Sequence, residues 1–193
     1  MKNNRIKKLV ILAMLGSISY VLMLLNFPFP GFPVFLKIDF SEVPVLIAAL
    51  IFGPGAAIIT ELIKNLLDFF MTGSPTGVPV GHIANFVAGI VFVLPVYFVY
   101  KKMRSKKGMT IALAAGTMTM AILMSLLNYF VFLPAYTIFM GAEGMTGSET
   151  IKMVTMAILP FNVIKGIVIT VVFMLMFVQL QPWLKKQSHY NNA

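Results

Sequence analysis

The sequence predicts an all-α integral membrane protein of six transmembrane helices, with both termini cytoplasmic and a long extracellular loop between helices 1 and 2. Three observations predict it. Apolar residues make up 59% of the chain and charged residues 11%, with a mean hydropathy of +0.92. A soluble domain is typically about 45–50% apolar and about 25% charged, so too little charge is left to cover a water-facing surface. The apolar residues fall into runs matching the roughly 20 residues that a bilayer crossing needs. Lysine and arginine gather in short clusters at the ends of those runs, as cytoplasmic loops require. The 193 residues give room for five or six crossings and none for a separate soluble domain. Residues 1–193 are therefore read as one transmembrane domain, with spans near 8–26, 41–53, 55–71, 79–103, 108–138 and 150–185.

The first span follows Lys2, Arg5, Lys7 and Lys8. That arrangement is shared with signal peptides, but only Asn26-Phe27-Pro28-Phe29-Pro30 follows, without a small-residue cleavage site. Residues 27–42 form the long connection, holding Pro28, Pro30, Gly31 and Pro33, then Lys37, Asp39 and Glu42. Ser41 is a natural N-cap for helix 2, with Pro44 in its first turn. Gly53-Pro54-Gly55 divides helix 2 from helix 3, and residues 72–79, rich in Gly, Ser, Thr and Pro, make a turn. Helix 4 contains Pro95 and ends in the basic loop Lys101, Lys102, Arg104, Lys106, Lys107. Helix 5, a loop and helix 6 complete the membrane region, and Lys185 and Lys186 precede a polar tail containing His189.

Charge placement decides whether residues 43–71 cross once or twice. The clusters at 2–8, 101–107 and 185–186 hold four, five and two of the 15 lysines and arginines, and all belong on one side. An even number of crossings must separate the first two clusters, so residues 43–71 are two helices with a tight cytoplasmic turn at Gly53. The same placement accounts for the net charge of +9 without a nucleic-acid partner.

Ionisable groups inside a membrane helix cost about 2.5–3.5 kcal/mol each on insertion scales, so each needs a reason. Counting about 20 residues inward from each basic cluster reaches Asn128 from Lys107, Lys165 from Lys185, and His82 with Asn85 from Lys102. Three helices bring their polar residues to one level, near the outer edge of the bilayer. Lys165 lies in an apolar helix just after Pro160, which frees the carbonyl of Met156, and shares a face with Asn162. It is either a pocket cation that meets a polar ligand or a lysine snorkelling to the headgroups. Asn128 contacts a ligand or bonds between helices, and the same two readings stand for His82 and Asn85. Glu61, Lys64, Asn65 and Asp68 make a polar stripe, read as internal pairing rather than a proton path. Phe27, Phe29, Phe32 and Phe35 form either an interfacial belt or a proline-stiffened lid over a flat ring. Ala13 and Ser17 make a small-xxx-small pair that permits close helix approach. Such pairs also arise by chance, Ala112 and Gly116 being taken as an example.

The chain has no cysteine, and no His pair stands at metal-ligand spacing. There is no phosphate loop, no H-E-x-x-H and no G-x-S-x-G, so neither a metal, an ATPase nor a catalytic constellation is expected.

One set of segments carries a resemblance. Phe35-Leu36-Lys37-Ile38-Asp39-Phe40-Ser41-Glu42-Val43-Pro44, Gly53-Pro54-Gly55, Glu61-Leu62-Ile63-Lys64-Asn65-Leu66-Leu67, Asn85-Phe86, Asn128-Tyr129 and Leu159-Pro160-Phe161-Asn162-Val163-Ile164-Lys165-Gly166 together resemble the riboflavin-specific substrate-binding (S) components of energy-coupling-factor (ECF) transporters, the RibU family. The resemblance implies a non-enzymatic vitamin-uptake subunit of the bacterial cell membrane, with riboflavin as cargo and no cofactor. It implies binding under the first extracellular loop, through Asn128, Asn162 and Lys165, with Asn85, His82, Phe35, Lys37 and Asp39 as further candidates. It implies a transmembrane coupling protein (T component) and two cytoplasmic ATPases as partners. The family's Ala-x-x-x-Ala coupling contact maps to Ala13 and Ser17, departing at the second position. The alternatives are an S component for another vitamin, or a small membrane enzyme using Glu61, Asp68 and His82.

Overall fold

A computed structural model describes residues 2–33, 35–74, 77–140 and 144–188, and the chain is almost entirely helical. The tail residue His189 lies outside the described residues. Helix α1 spans Lys2–Leu24, starting about a turn and a half before the expected residue 8. Lys and Arg are good helix formers, so nothing in the basic segment stops the helix. Two short strands follow, β1 Phe27–Pro28 and β2 Lys37–Ile38, paired antiparallel with Phe27 opposite Ile38. The long connection expected between helices 1 and 2 is therefore pinned at its base as a flap. Short strands at a proline-rich site escape sequence patterning because two residues show no alternation.

Helix α2, Glu42–Phe52, and helix α3, Pro54–Thr72, are split at Gly53. Gly53 has φ 90° and ψ −179°, a conformation open to glycine, and Pro54 starts α3 where its missing N–H costs nothing. At about 1.5 Å per residue, the 11 residues of α2 reach about half of the roughly 30 Å hydrocarbon thickness. Its Val43, Val45, Leu46, Ala48 and Ala49 are all buried, so α2 lies inside the bundle. Ser41 is not the side-chain cap expected of it. Asp39 instead braces the turn before the helix, its Oδ1 accepting the Ser41 N–H at 2.8 Å, while the Ser41 hydroxyl is taken by another partner.

Helix α4 is Val80–Met103. A two-residue turn, Arg104 in the left-handed region and Ser105 capping the Gly108 N–H at 2.9 Å, leads into α5. Helix α5 runs Lys106–Met140, widened into a π-turn at Asn128–Phe132. Helix α6 starts at Gly147, passes a π-turn at Val154–Ile158 and continues to Ser188. Each π-turn ends two residues before a proline, Pro134 or Pro160. A proline removes one N–H and collides with the carbonyl four residues back, and the wider turn absorbs both problems.

Phe92, Val96, Met109, Leu113, Ile169, Phe173 and Phe177 form the centre of the α4–α5–α6 bundle. Helices α4 and α5 meet at Gly116, where a Cβ would lie 2.6 Å from the Phe92 carbonyl. Gly116, taken from sequence as part of a chance pair with Ala112, makes this crossing. The outward faces are apolar: Leu9, Met14 and Val21 of α1, Met118 and Ile122 of α5, and Ile167 and Val171 of α6 are all exposed. Among the described residues four helices, α1, α4, α5 and α6, are long and apolar enough to cross a membrane.

Candidate ligand-binding site

A cavity of about 230 Å³ opens between the flap, the end of α1, the start of α4, and α5 and α6 around their π-turns. Seven of the eight residues selected from sequence line it: Asn85, Asn128, Asn162, Lys165, Phe35, Lys37 and Asp39. The eighth, His82, does not. Its Nε2 lies 3.0 Å from Oδ2 of Asp68, and its ring stands edge-on to Phe69 at 5.4 Å. It is Asp68, assigned from sequence to an internal stripe, that lines the cavity, with the Thr72 hydroxyl donating to its Oδ1 at 3.0 Å. His82 therefore stands behind the site, holding an acid that faces into it.

The polar groups are set by local helix geometry. Asn128 opens the π-turn of α5, and its Nδ2 donates to the Met124 carbonyl at 2.7 Å. Asn162, one turn beyond the π-turn of α6, does the same to Ile158 at 2.8 Å. Each amide is thus fixed on its own helix, with Oδ1 as its remaining acceptor. The Asn85 Oδ1 is buried with no hydrogen-bond partner among the described residues, a costly arrangement for a polar atom that a bound donor would relieve.

Lys165 is buried at 7% exposure and lies 3.4 Å from Oδ2 of Asp39. Burial alone would raise the Asp39 carboxyl. The ammonium groups of Lys165 and Lys64 and the hydrogen bonds from Ser41 outweigh that effect and hold it below the ordinary carboxylate value. The pair is an ionised carboxylate against an ammonium, so Lys165 brings a hydrogen-bond donor to the cavity with its charge already balanced.

The walls are aromatic and apolar: Phe35, Tyr136, Phe161, Ile158, Met23 and Met124. All four flap phenylalanines make ring contacts. Phe32 reaches Phe161 of α6 at 5.9 Å and Phe35 reaches Tyr136 of α5 at 6.5 Å; Phe29 packs on Phe32 and Phe27 on Phe40. Two of these contacts, Phe32 with Phe161 and Phe35 with Tyr136, tie the flap to α6 and α5. Tyr136, Met23 and Asn26 were missed from sequence. Tyr136 lies eight residues past Asn128 and is brought to the same cavity by a helix that carries a π-turn, which simple 3.6-residue counting does not include.

The rest of the stripe is elsewhere. Lys64 is fully buried, 3.2 Å from Glu42 and 2.9 Å from Glu61, and neither Glu61 nor Lys64 lines the cavity. Among the described residues no three His, Cys, Asp or Glu side chains are grouped to hold a metal ion. Ala13 and Ser17 lie on the exposed face of α1, with the Ser17 hydroxyl bonded back to the Ala13 carbonyl at 3.0 Å.

The fold is a helical bundle with membrane-length apolar helices and an aromatic-walled cavity beneath a flap. Its family follows from comparison. Residues 7–177 match the model of the ECF transporter, substrate-specific component, and the chain belongs to that family. It is a transport protein and not an enzyme, so the reading of Glu61, Asp68 and His82 as an enzyme's residues falls. The chain is 56% identical over 183 residues to the riboflavin transporter FmnP of Bacillus subtilis, covering 95% of this chain and 96% of that one. It is 43% identical over 180 residues to the riboflavin transporter RibU of Staphylococcus aureus, covering 93% of each. A solved S component of a bacterial ECF transporter superposes with a TM-score of 0.78 at 41% identity, over 94% of this chain and 99% of that one.

Proposed function

We propose that this chain is the riboflavin-binding membrane subunit of an ECF-type vitamin importer, with the flavin held in the cavity beneath the flap. The observation that carries the placement is the balance of the cavity. Four amides, Asn26, Asn85, Asn128 and Asn162, and two lysines matched by Asp39 and Asp68 stand among aromatic walls, which suits a flat, uncharged ring system with hydroxyls. Asn128, Asn162, Asn85 and Lys165 supply the hydrogen bonds, Phe35 closes the cavity from the flap, and Lys37 and Asp39 complete its rim. A cargo bearing full negative charge would meet Asp68, a Lys165 already paired with Asp39, and only Lys37 as a further cation. An S component for a different vitamin would keep the fold and change these residues.

The six helices lie in the bacterial cell membrane as one domain, with α2 reaching only part of its thickness and the corner before it completing the passage. Helices α2 and α3 form a pair whose Gly53 turn, like the 101–107 loop and both termini, faces the cytoplasm, and the flap faces outside. This supplies the even number of crossings that the basic clusters demand. Riboflavin is transported cargo and no cofactor is needed. A T component and two cytoplasmic ATPases supply the energy, and the exposed Ala13–Ser17 face of α1 is the docking surface for the T component.

Riboflavin titration of the detergent-purified protein, followed by quenching of flavin fluorescence, tests the reading. Saturable quenching by riboflavin that other vitamins do not displace is expected; no quenching contradicts it. A Ser105→Cys variant tests the topology, with labelling expected only from the cytoplasmic side.

A further inference from the structure

The residues around Lys64 take no part in the cavity, yet they are joined to it. The Lys64 Nζ lies 3.1 Å from the Ser41 hydroxyl, 3.2 Å from Glu42 and 2.9 Å from Glu61. Asn65 donates to Glu61 Oε2 at 3.1 Å, and a Cβ at Gly89 of α4 would collide with the Glu61 carboxylate, so α4 closes the cluster from behind. The Ser19 hydroxyl of α1 donates to the Ser41 carbonyl. Ser41 is thus held by its side chain from α3 and by its carbonyl from α1. Its N–H then donates to Asp39 Oδ1 at 2.8 Å, and Asp39 Oδ2 meets Lys165 at 3.4 Å. A continuous polar path runs from Lys64 through Ser41 and Asp39 to the cavity lysine.

We infer that Lys64 is a positioning residue for the binding site: it fixes the corner at residues 39–42, which presents Asp39 to Lys165. The inference rests on the reading that Lys165 serves the flavin site. Three features separate it from simple structural support. Asp39 is the ion-pair partner of Lys165 among the described residues. Both oxygens of Asp39 are used, one on the corner and one on Lys165, so moving the corner moves the carboxylate. The corner also carries the base of the flap, because β2 ends at Ile38, one residue before Asp39. A buried ion pair adds little net stability compared with apolar packing, whereas a fixed geometry is what such a cluster supplies well.

The test is a double-mutant cycle read as riboflavin affinity. Lys64→Met is introduced into the wild type and into Asp39→Asn, and each purified protein is titrated by flavin fluorescence quenching. In the wild-type background Lys64→Met is expected to weaken binding about tenfold, and in the Asp39→Asn background by less than about twofold, because the path is already cut. Equal losses in both backgrounds would overturn the inference and make Lys64 a general support of the fold. So would unchanged affinity in the wild-type background. If Lys64→Met does not fold, Ser41→Ala removes only the hydroxyl link and is read in the same cycle, with a loss of about threefold expected in the wild-type background. Failure of the site reading looks different: wild-type protein that does not bind riboflavin, or Asp39→Asn that binds as tightly as wild type. Either result also removes the inference, since its route passes through Asp39.

Discussion

Lys64 and Lys165 are both buried lysines on apolar helices, and their surroundings separate their tasks. Lys64 has two carboxylates and a hydroxyl around it and does not line the cavity beneath the flap. Lys165 has one carboxylate, and its remaining hydrogen-bonding capacity faces a cavity that also holds Asn128 and Asn162. A buried cation whose partners are all protein groups organises the fold; one left partly unsatisfied beside a cavity is available to a ligand. The count of partners, more than the residue type, tells the two apart.

Substitutions can break this contrast. The largest expected effect is on stability: Lys64→Ala leaves two buried carboxylates without their counter-charge and should cost about 3–5 kcal/mol, read as a lowered unfolding temperature in detergent. Lys165→Ala should unfold far less readily, because Asp39 keeps its bond to Ser41, yet weaken riboflavin binding about 30- to 100-fold through loss of a charged hydrogen bond. Affinity loss in the first with none in the second would reverse the assignment. Asn128→Ala and Asn162→Ala should each weaken binding about fivefold, one neutral hydrogen bond apiece, in the same titration. Phe35→Ala should act mainly on escape, raising the flavin dissociation rate a few-fold in stopped flow.

The smallest effect is on pH. Asp39 is held below its ordinary carboxylate value, so its contribution is present above the unfolded value of 3.8. It is lost only as pH falls through the lower folded value. Affinity measured between neutral pH and about pH 5 should therefore be flat as far as Asp39 is concerned. A drop near the ordinary carboxylate range would mean that Lys165 does not hold it.

Much of this molecule is legible in its sequence because local rules decide it. Gly53-Pro54-Gly55 marks the break between α2 and α3, and counting helical rise from the basic clusters brings Asn85, Asn128, Asn162 and Lys165 to one level, where the cavity lies. The sequence is silent wherever distant segments meet. Glu42 and Lys64 are 22 residues apart, so the stripe on α3 appeared to pair within its own helix, and only the fold reveals Glu42 as the further partner. His82 and Asn85 share a helix face, but three residues of separation still differ by about 60° around the axis. That difference turns His82 toward Asp68 and leaves Asn85 in the cavity. The π-turns have a local cause in Pro134 and Pro160, yet their effect on side-chain direction appears only in three dimensions.

The absence of cysteine from the chain permits the most direct test of where the flavin sits. Ala84 lines the cavity and Ser17 lies on the outer face of α1. Single Ala84→Cys and Ser17→Cys variants are labelled with a thiol reagent, with and without riboflavin. Riboflavin should protect the cysteine at position 84 and leave the one at 17 unaffected; equal labelling of position 84 with and without riboflavin, in a variant that still quenches flavin fluorescence, would place the ligand elsewhere.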